Sequence, residues 1–278
     1  MTVPSDGYFP PGSVSRRVIG DPAAGVGGVR ALFLQALHPR VMAGVEQHSS
    51  FPDDFWPRLQ RTAQYVITVT FGSVEQADAQ ASRVRAVHQL VRGVDPVSGL
   101  GYAADDPDLL RWVHVAEVSS FLDAARRAGL SVSDSEADEY FAEQTQAAAL
   151  LGATDVPGSR AEVADYFRQV RPALQTSTMA RRAAVRLMLP PLPPRVEFLT
   201  PARPAWMALA GLAFALLPRW ARRLYGLPGL PMTDLAATVA LRTLRTGVLI
   251  IPESLRPHRR PDQLGLGGHH VATITPPR

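Results

Sequence analysis

The stretch SVEQADAQASRVRAVHQLVRG, residues 73–93, reads as a single helix from end to end. Ser73 followed three residues later by Gln76 is a capping box, which satisfies two otherwise unpaired N–H groups at a helix start. Val84, Val87 and Val91 recur at helical spacing as an apolar stripe, and Gly93 supplies the stop. One histidine, His88, lies at the edge of that stripe, so its imidazole is expected to face inward. Arg85, three residues before it, and Arg92, four residues after, are expected on the same helix face.

The same grammar extends in both directions. Upstream, Val29, Leu32, Phe33, Ala36 and Leu37 form one apolar face that Pro39 interrupts, and a second helix is expected from an Asp53 cap through Phe55 to Thr70. Downstream, Asp105 or Asp106 with Pro107 opens a helix that Gly129 stops, while Ser133 with Glu136 and Ser159 with Glu162 repeat the capping pattern. Two more helices are expected, Pro204 to Leu224 and Thr233 to Gly247, and no segment shows strand alternation. The fold class is therefore all-α, a single multi-helix domain over residues 27–250. Residues 1–26, rich in Pro and Gly, are expected to be an extended arm, and 251–278 a loosely ordered tail that holds His258, His269 and His270. The proline-rich 188–204 is expected to cross the surface as an extended, non-helical connector.

Composition narrows the function. The 278 residues are 46% hydrophobic, enough for a real core, and there is no cysteine, so any metal must be held by nitrogen and oxygen. All 29 basic residues are arginine, the net charge is only +4, and the arginines are scattered, which argues against nucleic acid. The N-terminus lacks the apolar run of a secretory signal, so the expected compartment is the cytoplasm. The most apolar run, Trp206 to Pro218, is too short to span a bilayer; it reads as a core helix, with contact to a membrane surface as the other option.

The sequence has no HExxH, no calcium-loop ladder, no GxGxxG or phosphate loop, and no GxSxG elbow. What it does have is three helical groups: Arg58, Arg61 and Thr62; Arg85, His88 and Arg92; and His114 with Glu117. An inward histidine without a second ligand on its helix suits haem, which brings four nitrogens and asks for one axial ligand, with arginines to meet the propionates. Taken alone, the position fits a core histidine hydrogen-bonded to a carboxylate or carbonyl better.

The order of motifs adds what spacing does not. LQALHPRVMAGVEQHSSF, RLQRTAQYVITVTFG, VRAVHQLVRG, YAADDPDLLRWVHVAEVSSFL and EYFAEQTQAAALLG together resemble the MpaB and latex-clearing-protein family of haem-dependent oxygenases, over roughly residues 27–250. The resemblance implies an all-α haem b protein with His88 as the proximal ligand and a hydrophobic, terpenoid-like substrate oxidised by molecular oxygen. Rubber-cleaving members carry an R-x-x-K-T pattern on the distal side; here it reads Arg58-x-x-Arg61-Thr62. Arginine stays charged and is a poor iron ligand, so the replacement at Arg61 implies an open or water-bound distal position. The resemblance also places a distal base at Glu46. It gives His114 and Glu117 as propionate contacts or partners behind the ligands, beside the plainer option of a structural His–Glu pair. The other functions compatible with these residues are a haem carrier or sensor without turnover, and a metal-free helical protein that binds lipid.

Overall fold

Serine and aspartate caps set many of the element boundaries in the computed structural model, which describes residues 7–48 and 55–251. In chain order the described elements are α1 (Val14–Gly20), α2 (Ala24–Gln35), α3 (Pro39–His48), α4 (Phe55–Phe71), α5 (Val74–His88), β1 (Arg92–Val94), β2 (Gly101–Ala103), α6 (Pro107–Arg127), α7 (Asp134–Ala149), α8 (Arg160–Val170), α9 (Thr178–Met188), α10 (Pro194–Leu199), α11 (Ala202–Ala215), α12 (Arg219–Leu224) and α13 (Pro231–Ile250). Ser73 and Ser133 open α5 and α7 with complete capping boxes, and Asp106 caps α6 ahead of Pro107. The all-α class is as expected.

The core is built on the crossing of α2 and α6. Gly27 makes that crossing close: a Cβ there would lie 2.9 Å from the Ser120 carbonyl oxygen and 3.1 Å from the Phe121 Cα. Trp112 of α6 is fully buried and donates from Nε1 to the Gln35 carbonyl at 3.2 Å. Arg30 of α2 is buried too, and its charge is fully answered: Nε donates to the Leu216 carbonyl (3.0 Å), Nη1 to the Ser120 hydroxyl (2.6 Å), and Nη2 lies 3.4 Å from the Asp123 carboxylate. Helix α11 covers α2 from the other side, with Ala210, Ala213, Leu216 and Leu217 buried there. The apolar Trp206 to Pro218 run is thus a core element. Among the described residues no helix is long and apolar enough to cross a membrane.

Four expectations are corrected. Within the expected extended arm, residues 14–20 are helical: the Ser13 hydroxyl accepts from the Arg16 N–H, and Val14, Val18 and Ile19 are buried where α1 meets α6 and α7. The connector 188–204 is partly helical, because prolines near the start of α10 occupy first-turn positions that need no N–H donor. The helix expected over Pro204 to Leu224 is split at Pro218. Helix α5 ends at His88, five residues short of Gly93, and Arg92 belongs to β1, which pairs antiparallel with β2. Gly93 serves that hairpin instead, since a Cβ there would come within 2.5 Å of the Tyr102 hydroxyl. Asp53 and the tail histidines lie outside the described residues.

Candidate functional site

Helices α2 to α7 and α9 enclose a cavity of about 520 Å³. Helices α4 and α5, joined by the short turn at Gly72 and Ser73, pack on each other, and both contribute to the cavity wall, α5 through Val87 and His88 at its end. Aliphatic side chains such as Val66, Val69 and Val113 line most of its wall. Arg58, Arg61 and Thr62 line it from α4, His88 from α5, and His114 and Glu117 from α6. Residues from three separate helices are thereby brought to one space.

The polar groups are graded along α4. Arg61 and Thr62 are exposed and stand where the cavity meets solvent, and the Thr62 hydroxyl donates back to the Arg58 carbonyl at 3.1 Å. Tyr65, one turn further in, carries a buried hydroxyl with no hydrogen-bond partner among the described residues. It was not singled out from the sequence, although its position four residues after Arg61 puts it on the same face.

His88 is the last residue of α5, and neither of its ring nitrogens makes a hydrogen bond among the described residues; Nδ1 is buried. Burial holds its pKa below the ordinary histidine value, the Arg58 charge adds to this, and Asp105 opposes it. The imidazole is therefore neutral at pH 7, the form that binds metals. His48 also lines the cavity, but its Nε2 donates to the Arg92 carbonyl at 3.0 Å.

On α6, His114 and Glu117 sit one turn apart, and what surface they keep faces the cavity. They do not form the structural His–Glu pair that their spacing allows. His114 is engaged by the Gln144 backbone, its Nε2 has no partner, and burial pushes its pKa down to about 4. Glu117 makes no hydrogen bond or ion pair among the described residues, and burial alone raises its pKa to about 7. Leaving such groups unpaired costs about 1–3 kcal/mol each.

Three expected site residues are placed elsewhere. Glu46 does not line the cavity; it is paired with Arg182 of α9 at 2.8 Å. Arg85 is exposed and is held by the Leu150 carbonyl and the Ser82 hydroxyl, outside the cavity lining. Arg92 pairs with Asp105 at 2.8 Å, and the one-face argument fails for it because it is not on the helix. The arginines that do line the cavity are Arg40, Arg58 and Arg61.

Among the described residues no group of three or more His, Asp or Glu side chains could hold a bare metal ion. An unpartnered imidazole such as His88, in a mostly apolar chamber, fits a cofactor that brings most of its own ligands.

Comparison with known families gives one match, over residues 16–248, to the family described as ER-bound oxygenase mpaB/B'/Rubber oxygenase, catalytic domain. No curated protein and no solved structure matches the chain.

Proposed function

The chain belongs to the mpaB/rubber oxygenase catalytic-domain family, and we propose that it is a haem b-dependent oxygenase that oxidises a hydrophobic small molecule in its helical cavity, with His88 as the one protein ligand to iron. The observation that carries this reading is the His88 ring: buried at Nδ1, without a hydrogen bond at either nitrogen among the described residues, held neutral, and open to a mostly apolar space. Haem bound there would supply the electron chemistry that activates molecular oxygen, which amino-acid side chains lack.

The protein's own contribution is binding, orientation and electrostatics. Arg58 and Arg61 present permanent positive charge at the cavity mouth, suited to carboxylate groups of a cofactor and to negative charge that develops during oxidation. Arg40 lines the cavity from α3 and pairs with Asp106 at 3.3 Å. The valine and leucine side chains of α4 and α6 exclude water and hold an apolar substrate. Glu46, tied to Arg182, is not assigned a role in the reaction.

Absorption spectra of protein expressed with a haem supply test the reading. The wild type is expected to show a Soret band and His88→Ala to lose most of it, while Glu46→Gln keeps it. A wild type without the band would overturn haem dependence, and a fully loaded His88→Ala would overturn the assignment of the ligand.

A further inference from the structure

Some of the buried polar groups in the core are answered. Arg30 has three partners, the buried Tyr140 hydroxyl donates to the Val118 carbonyl at 3.2 Å, and Gln144, which also lines the cavity, donates to the Ser15 hydroxyl at 2.9 Å. Others lack a partner among the described residues, at several places that include Arg16 Nε, His38 Nδ1 and Gln64 Nε2; two of them, the Tyr65 hydroxyl and the His114 Nε2, line the cavity together with Glu117, which makes no hydrogen bond or ion pair among the described residues. Glu117 and Tyr65 come from different helices yet lie within electrostatic reach of each other, and Glu117 reaches Tyr140 in the same way. These groups form a cluster beyond the mouth arginines and separate in chain position from His88.

We propose that Tyr65, His114 and Glu117 form a polar subsite that seats the hydroxyl group of a neutral, otherwise apolar substrate. The chemistry of the three side chains selects that class. His114 is held neutral by burial, and its unpartnered Nε2 can serve as a lone-pair acceptor that calls for a donor. The Tyr65 hydroxyl is a donor in search of an acceptor. An alcohol is both at once. A carboxylate ligand would meet Glu117 and no cation among these three residues. An ammonium ligand would serve the His114 acceptor but offers no lone pair to the Tyr65 hydroxyl proton, and its charge would have to be desolvated in an apolar chamber. The inference rests on the cavity being the substrate site, as proposed above, and it adds the class of substrate.

The test uses the full chain as purified after expression with a haem supply. Binding is measured by competition against an environment-sensitive naphthalene dye, with decan-1-ol, decane, decanoate and decylamine as the competing probes. The wild type is expected to prefer decan-1-ol over decane by roughly tenfold, the worth of one or two net hydrogen bonds. Glu117→Leu and Tyr65→Phe are expected to erase most of that preference while keeping decane affinity, and to melt at a higher temperature than the wild type, because each removes an unanswered buried group. An equal affinity for alcohol and alkane, a preference for either charged probe, or a preference untouched by both variants would overturn the proposal. Should Glu117→Leu fail to fold, Tyr65→Phe decides alone. The Soret band separates the two readings: no band with a clear alcohol preference overturns haem dependence only, and a band without the preference overturns the subsite only.

Discussion

Glu117 and His114 are shifted in opposite directions by the same burial, and that gives each a distinct signature in stability against pH. Glu117 has a folded pKa of about 7 against an ordinary 4.5, so between those values the unfolded chain releases a proton that the folded chain keeps, and stability falls as pH rises. His114, at about 4 against 6.5, favours the folded state above 6.5 and loses that contribution as pH falls toward 4. Glu117→Gln removes only the first effect. Its melting temperature should therefore climb relative to the wild type from pH 4.5 to 7 and then run parallel, with a full difference of about 3 kcal/mol. A difference that is flat across this window would mean that Glu117 ionises without cost. Individual residues were legible in the sequence where helix spacing sufficed: Arg58, Arg61, Thr62, His88 and His114 all line one cavity. Glu46 and Arg92 were not, because spacing gives an angle around a helix, whereas the Arg182 partner and the β1 register come from elsewhere in the chain. The unpaired state of Glu117 is likewise a tertiary fact.

At the scale of elements, the crossing of α2 and α6 holds the wall that carries His114 and Glu117. Gly27 permits that crossing, and Gly27→Ala would push a methyl group against backbone atoms that cannot swing away. Overpacking of this kind costs about 1–3 kcal/mol. Chemical denaturation should register that loss, whereas Gly25→Ala, on the same helix with open space at its Cβ, should leave stability unchanged or raised. Loss of stability in both variants would point to backbone entropy instead of the close approach. The capped helices were readable because a cap is local chemistry between residues three apart. Helix α1 was harder to see: seven residues make a poor periodic signal, and its stability comes from packing on α6 and α7. The hairpin β1–β2 was hidden for a similar reason, as three-residue strands are too short to alternate.

Taken as a whole, the molecule folds its helices around a chamber whose wall draws on residues from Ile19 to Leu187. No short motif encodes such a space; it arises from where helices far apart in sequence come to rest. The all-α class was legible because every long segment obeys the same period, but the chamber's polar interior was not. Its surroundings also contain an aromatic cluster. Phe55, on the cavity wall, packs edge-on against Trp56 (5.0 Å between ring centroids) and Trp206 (6.1 Å), which lie 4.9 Å from each other, and Trp112 stands on α6 two residues before His114. Tryptophan emission is therefore an optical gauge of the chamber. A pigment that enters it should darken the protein in proportion to occupancy, levelling at one equivalent, while His88→Ala stays bright. Emission indifferent to added haem would place the pigment outside this space. The indoles thus let cofactor loading be followed by light alone, with no label attached and no substrate known.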